Sequence, residues 1–223
     1  MVSPKDVLIC IPSIDGKVGV HLASFLNKMG KEGMDAVLVS GVYPRDYARN
    51  MLTRHFLDGK WEWMWWIDAD MRPVDGSANL LHWTEQGDVL TGYTNAIQIR
   101  PNEVKVFIPV MACEKDGAWL TVAGAQKETC YVEGVGFGNT MIRRGVLEDQ
   151  RTWADPGRDM IFKDTTGPRG EVMETEDLVF SRKAREAGYK LVYVPNAPMG
   201  HEKILDVVEV NYWINKGREK GEQ

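Results

Sequence analysis

Short apolar runs alternate with stretches of helical spacing through the first third of the chain, and this alternation leaves few folds open. Residues 7–11 are apolar and stop at Pro12-Ser13. Residues 18–29 carry apolar side chains at helical spacing, with Gly30 and Gly33 beyond the end. Residues 36–39 form a second apolar run. Residues 43–57 follow, with Ala48, Met51, Leu52 and Phe56 on one helical face. Residues 61–67 make an aromatic-rich run that stops at Asp68-Ala69-Asp70. Strands without polar alternation are those buried on both faces, as in parallel sheets covered by helices. The order strand, helix, strand, helix, strand therefore predicts a doubly wound α/β domain with a mainly parallel sheet.

The middle of the chain changes character. A helix is expected over 76–86 and a short strand over 89–93. Residues 104–111, 119–123 and 131–137 read as strands separated by polar turns, the pattern of antiparallel strands added to a parallel sheet. A short helix over 143–150 and a mobile loop rich in Gly, Pro and charge over 155–170 come next. A helix over 176–187 has Thr175 as its N-cap and Gly188 past its end. Residues 191–194 form a last strand, 204–214 a last helix, and the tail is polar and frayed. No repeat or interdomain linker is visible.

The 223 residues suffice for one domain with a sizeable core. A net charge of -5 gives no global attraction to nucleic acid or an anionic membrane. Cys10, Cys113 and Cys130 are too few and too scattered for a disulfide framework or a zinc site, which fits a reducing compartment. Cys10 lies in an apolar run and is expected in the core. No signal segment or membrane-length apolar run is present, so a soluble, cytoplasmic protein without stable membrane association is expected.

Three places carry candidate chemistry. Asp68 and Asp70 follow a strand, and side chains two apart on an extended backbone point the same way. Both would face the crevice at the carboxyl edge of the sheet, where open α/β folds bind ligands. Paired carboxylates repel unless a cation lies between them or one is protonated. Oxygen ligands suit Mg²⁺ or Mn²⁺, which would clamp a diphosphate. The alternative is a loop whose acids face water. Glu176 and Asp177 open a helix, where acids complement the macrodipole or where one accepts a proton from a hydroxyl. His201, in a loop after the last strand, is either an ordinary histidine or a metal ligand. Arg49-Asn50 could meet a phosphate or a base, or lie in water. The glycines around Gly136 admit close approach of a sugar or simply a turn.

Taken in order, Ile9-Cys10-Ile11-Pro12-Ser13, Ala48-Arg49-Asn50, Trp66-Ile67-Asp68-Ala69-Asp70-Met71 and Glu176-Asp177-Leu178 through Ala187-Gly188-Tyr189 to Gly200-His201 resemble the family-2-like glycosyltransferases of the GT-A fold, including small phage and bacterial members. Between them, residues 133–138 and 141–144 look like the family's acceptor-side strand and following helix. The resemblance implies a single GT-A domain. Its nucleotide-sugar half would be about 1–95, its acceptor and catalytic half about 96–203, and 204–223 a C-terminal helix and tail. It implies a hexosyltransferase using a nucleoside-diphosphate sugar, UDP or GDP, with Mn²⁺ or Mg²⁺. Pro12, Ser13, Arg49, Asn50, Asp68, Ala69 and Gly136 would contact the donor, and Asp68, Asp70 and His201 the metal. Asp177, with Glu176 beside it, matches the base of inverting members.

A nucleotidyltransferase is a rival, although Ser13-Ile14-Asp15-Gly16-Lys17 is a poor phosphate loop. A non-catalytic nucleotide- or carbohydrate-binding module is another. The acceptor stays open among a saccharide, a glycoconjugate, a protein and a hydroxylated base in phage-type DNA. In the last case the compartment would be a host cytoplasm.

Overall fold

The computed structural model describes residues 2–94, 96–100, 103–107, 112–115, 118–121 and 127–202. The first strands and helices are β1 (Val7–Ser13), α1 (Val20–Lys31), β2 (Asp35–Ser40), α2 (Arg45–Asp58) and β3 (Trp63–Ile67). After them come β4 (Met71–Pro73), a 3-10 helix at Ser77–Trp83, β5 (Val89–Thr94), and the hairpins β6 (Ala96–Arg100) with β7 (Glu103–Phe107) and β8 (Ala112–Lys115) with β9 (Ala118–Thr121). The rest is β10 (Cys130–Tyr131), β11 (Asn139–Arg143), α3 (Arg144–Glu148), β12 (Thr165–Thr166), β13 (Val172–Glu174), α4 (Glu176–Glu186) and β14 (Leu191–His201).

One sheet of eight strands runs β2-β1-β3-β11-β5-β14-β10, with β4 added along β14. β1 is parallel to β2 and β3, and β5 is parallel to β14. β11 is antiparallel to both β3 and β5, so all five of those strands share one direction. β10 and β4 are antiparallel to β14. This is the mainly parallel α/β sheet with added antiparallel strands that the sequence predicts.

The period of two along each strand explains its uninterrupted apolar character. Val7, Ile9 and Ile11 of β1 and Trp63, Trp65 and Ile67 of β3 face one core with Leu22 and Met29 of α1. Leu8, Cys10, Met64 and Trp66 face the other, with Leu52 and Phe56 of α2 and Phe180 and Ala184 of α4. Both faces of the central strands are thus covered by helices. Cys10 is fully buried, and the three cysteines are free thiols. Among the described residues no helix is long and apolar enough to cross a membrane.

Several expectations are corrected. Of the 131–137 run only Tyr131 lies in a strand, the two-residue β10; the interior strand is β11, which follows the run. Polar Asn139 and Thr140 hide it in sequence. Their side chains are satisfied internally: Trp65 Nε1 donates to Asn139 Oδ1 (2.9 Å), Asn139 Nδ2 donates to Ala197 O (2.9 Å), and Thr140 Oγ1 donates to Gly136 O (2.7 Å). The helix expected over 76–86 is a 3-10 helix, and the 143–150 helix is α3 followed by a 3-10 turn at Gln150–Thr152. Met51 is 51% exposed, and Arg49, Asn50 and Thr53 share the buried side of α2 instead. The strand over 191–194 continues to His201, which pairs with Met71 in β4 and so is not in a loop. The expected strands over 104–111 and 119–123 match β7 and β9 in part; their ends at 108–111 and 122–123, and the helix and tail over 204–223, lie outside the described residues.

Candidate functional site

A cleft of about 340 Å³ opens at the carboxyl ends of β1 and β3. Pro12, Ser13, Ile14 and Asp15 form one wall, Val42, Arg45 and Ala48 a second, and Asp68, Ala69, Asp70 and His201 the floor and far side. Strand β1 feeds α1 on one face of the sheet and β2 feeds α2 on the other, which leaves a crevice beside the end of β1.

Asp68-Ala69-Asp70 is a tight turn rather than an extended continuation of β3: Met71 N–H donates to Asp68 O (3.0 Å). The two carboxylates therefore do not share a direction through strand alternation. They share the cleft because the turn wraps around its floor before β4 begins. Gly138 backs this turn, its carbonyl accepting from Asp68 N–H (3.3 Å) while a β-carbon on it would fall 2.6 Å from Met71 Cε.

Asp68 Oδ1 accepts from Arg49 Nη2 (3.2 Å). Arg49 is buried, with 1% exposure, and is not part of the cleft wall. Its guanidinium lies 5.1 Å from the Trp66 ring centroid and 4.9 Å from that of Phe137, in cation–π contact with two rings that stack on each other at 6.4 Å. Its Nε is 3.0 Å from Glu176 Oε1, which also meets Arg45 Nε at 3.0 Å. Arg49 thus ties the acidic turn to the start of α4. Burial pushes the Asp68 carboxyl above the usual carboxylate range, against the pull of Arg49 and Arg45. Burial also works against the Glu176 carboxylate, but Arg49 and Arg45 outweigh it and hold Glu176 below its usual range. With its side chain buried and doubly paired, Glu176 is an ion-pair hub, not an accessible base.

Asp177 is half-buried. Its Oδ1 accepts from the Thr175 hydroxyl and from Leu178 N–H (2.9 Å). Burial, then the Glu176 carboxylate, raises its proton affinity, the direction a proton acceptor needs. It does not line the cleft, yet Arg45 feels its charge together with those of Glu176, Asp68 and Asp164. The entry to α4 is fixed by Glu174, which accepts from Trp119 Nε1 (2.6 Å) and Arg182 Nη2 (2.9 Å).

Asp70 and His201 come together, with Asp70 Oδ1 3.9 Å from His201 Nε2 across the β4–β14 ladder. Among the described residues no three His, Cys, Asp or Glu side chains converge on a ready-made metal shell. A carboxylate and an imidazole on the cleft still suit Mn²⁺ or Mg²⁺ when water and phosphate oxygens complete the shell. Asp68, expected as a third ligand, is engaged by Arg49.

Two further expectations are corrected. Asn50 does not reach the cleft: its Oδ1 accepts from Ile161 N–H (2.8 Å) and Phe162 N–H (3.1 Å), and its Nδ2 donates to Phe162 O (2.7 Å). It anchors the segment expected as a loop over 155–170, whose Ile161 and Phe162 are core residues. Gly136 lies in the turn before β11, its carbonyl taken by Thr140, and is not part of the cleft. The sequence reading missed Arg45 and Asp15. Arg45 opens α2 four residues before Arg49, and that one-turn spacing was the available signal.

No protein-family model and no curated protein matches the sequence. Solved structures do match in shape. The crystal structure of A197 from STIV superposes with a TM-score of 0.58 at 20% identity, over 88% of this chain and 85% of that one. GalNAc-T7, crystallised with UDP, GalNAc and Mn²⁺, gives 0.52 at 14% identity, over 90% of this chain and 44% of that one. The fold is of the GT-A type. This GT-A sheet spans less than half of the GalNAc-T7 chain, and at such identities the likeness establishes architecture alone.

Proposed function

We propose that the chain transfers a hexosyl group from a nucleoside-diphosphate sugar, UDP or GDP, to an acceptor hydroxyl with inversion. The observation that carries this reading is the cleft itself: an acidic turn, a histidine and an arginine converge at the carboxyl edge of β1 and β3. GalNAc-T7, built on the same fold, was crystallised with UDP and Mn²⁺.

Pro12, Ser13 and Asp15 form the wall assigned to base and ribose, with Asp68 and Ala69 on the ribose side. Asp70 and His201 would hold Mn²⁺ or Mg²⁺, which supplies charge neutralisation for the diphosphate. Arg45 offers a further cation on the cleft lining, held in place by Glu176 and kept protonated by the surrounding carboxylates despite partial burial. Asp177 accepts the proton of the acceptor hydroxyl. The hydroxyl oxygen bonds to the anomeric carbon as the bond from that carbon to the diphosphate breaks, and the electron pair leaves with the nucleoside diphosphate.

Incubation with a panel of nucleotide sugars and Mn²⁺, with and without saccharide, glycoconjugate and hydroxymethylated-base acceptors, tests this. Release of nucleoside diphosphate is expected. Release of pyrophosphate from a nucleoside triphosphate and a sugar phosphate, in place of turnover of any nucleotide sugar, would make the chain a nucleotidyltransferase, and binding without turnover would make it a binding module.

A further inference from the structure

Beyond His201 the backbone is held on two sides. Glu202 N–H donates to Asp70 O (2.7 Å). The Glu202 side chain reaches the opposite way, to the first turn of α1, where its Oε1 lies 3.7 Å from His21 Nε2. Its Oε2 occupies the space a side chain at position 19 would need: a β-carbon built on Gly19 falls 2.0 Å from that oxygen. Gly19 has ordinary extended angles, φ -62 and ψ 155, which any residue adopts. The backbone conformation therefore does not require glycine there; a side chain at 19 would instead displace the Glu202 carboxylate, the far end of a flexible side chain, from its seat. A carboxylate at this position also complements the positive end of α1.

The seat joins two parts of the cleft. Gly19 ends the loop that follows β1, and that loop contributes Ile14 and Asp15 to one wall. Glu202 follows directly on His201 and bonds the backbone of Asp70, on the other wall. We propose that Glu202 is a positioning residue: its carboxylate, seated at Gly19, fixes His201 against Asp70 and so sets the affinity of the site for a divalent cation. This rests on the reading of Asp70 and His201 as cation ligands.

Electron paramagnetic resonance of free Mn²⁺ during titration of the protein, with UDP present, tests it. Gly19→Ala evicts the carboxylate without straining the backbone, and Glu202→Ala removes it. Each is expected to weaken Mn²⁺ binding about tenfold, the scale of an outer-shell loss. The double variant is expected to lose no more than either single one, because both empty the same seat. Glu202→Gln, which keeps the length, recovers most of the affinity. Gly30→Ala, in α1 with nothing within 4 Å of the new methyl, binds as the wild type does. Melting temperatures identify any variant that fails to fold, and Gly19→Ala and Glu202→Gln keep the comparison open if Glu202→Ala does. Wild-type affinity in both single variants, or losses that multiply to about 100-fold in the double, would overturn the proposal. Absence of Mn²⁺ binding in the wild type would overturn the ligand reading and this proposal together.

Discussion

Arg49 sits where water hardly reaches, against two aromatic rings and two carboxylates. Removing a buried charge leaves its partners uncompensated, which typically costs about 3–5 kcal/mol. Arg49→Leu is expected to lower the unfolding free energy measured in urea by an amount in that range, and Arg49→Lys by less. Lysine keeps the charge but not the fork that reaches Asp68 and Glu176 together. The sequence marked Arg49 as notable but not as buried, because nothing in a single helix turn reveals that Phe137 and Glu176, far along the chain, close over it. Asp164 makes a second residue-scale prediction. Burial, then Glu176, pushes its carboxyl up to about 6, while its Oδ1 accepts from Glu176 N–H (2.8 Å). A carboxyl with a raised folded pKa binds more protons folded than unfolded between its two pKa values, so its contribution to stability falls as pH rises from about 4 to about 6. Asn mimics the protonated form and keeps the acceptor oxygen. The melting temperature of Asp164→Asn minus that of the wild type should therefore grow across that window. A flat difference would show that Asp164 does not titrate as described. Glu176 carries the opposite sign, its contribution being lost as pH falls, and because its side chain is hydrogen-bonded to Asp164 the difference reports the pair.

Among elements, α2 does more than cover the sheet. Its Asn50 holds the 161–162 backbone through two accepted bonds and one donated bond. Asn50→Ala would leave buried donors and an acceptor without partners, at a cost of about 3 kcal/mol, read from denaturant unfolding. The element boundaries legible in the sequence were those written in apolar periodicity: β1, α1, β2, β3 and α4 fall within two residues of their expected ends. Elements defined by polar satisfaction were not legible. β11 lies between β3 and β5, yet begins Asn-Thr, and only Trp65, Ala197 and Gly136 reveal why those side chains are tolerated there. The turn at 68–71 was likewise hidden, since Asp-Ala-Asp has no glycine or proline to announce it. Asp68 and Asp70 line the cleft for a different reason from the one expected, because the turn, not strand alternation, brings both acids there.

At the scale of the whole molecule, the site follows from topology. A sheet buried on both faces leaves its carboxyl edge as the place where loops from β1 and β3 and the end of β14 meet. Asp177 comes to the same neighbourhood on α4, and Asp177→Ala is expected to keep donor binding while transfer falls by at least about 100-fold, the scale of general-base catalysis. Intact turnover in that variant would remove Asp177 from the mechanism. The central claim is a cation-assisted nucleotide site at Asp70 and His201. Its most direct test is thermal melting with UDP-, GDP-, CMP- and dTDP-sugars, each with and without Mn²⁺, because a ligand that binds only the folded state raises the melting temperature by mass action. The account predicts a rise that needs both nucleotide and Mn²⁺ for at least one of the UDP- or GDP-sugars, abolished in Asp70→Ala. A nucleotide-induced rise that is the same without Mn²⁺ and survives in Asp70→Ala would contradict it.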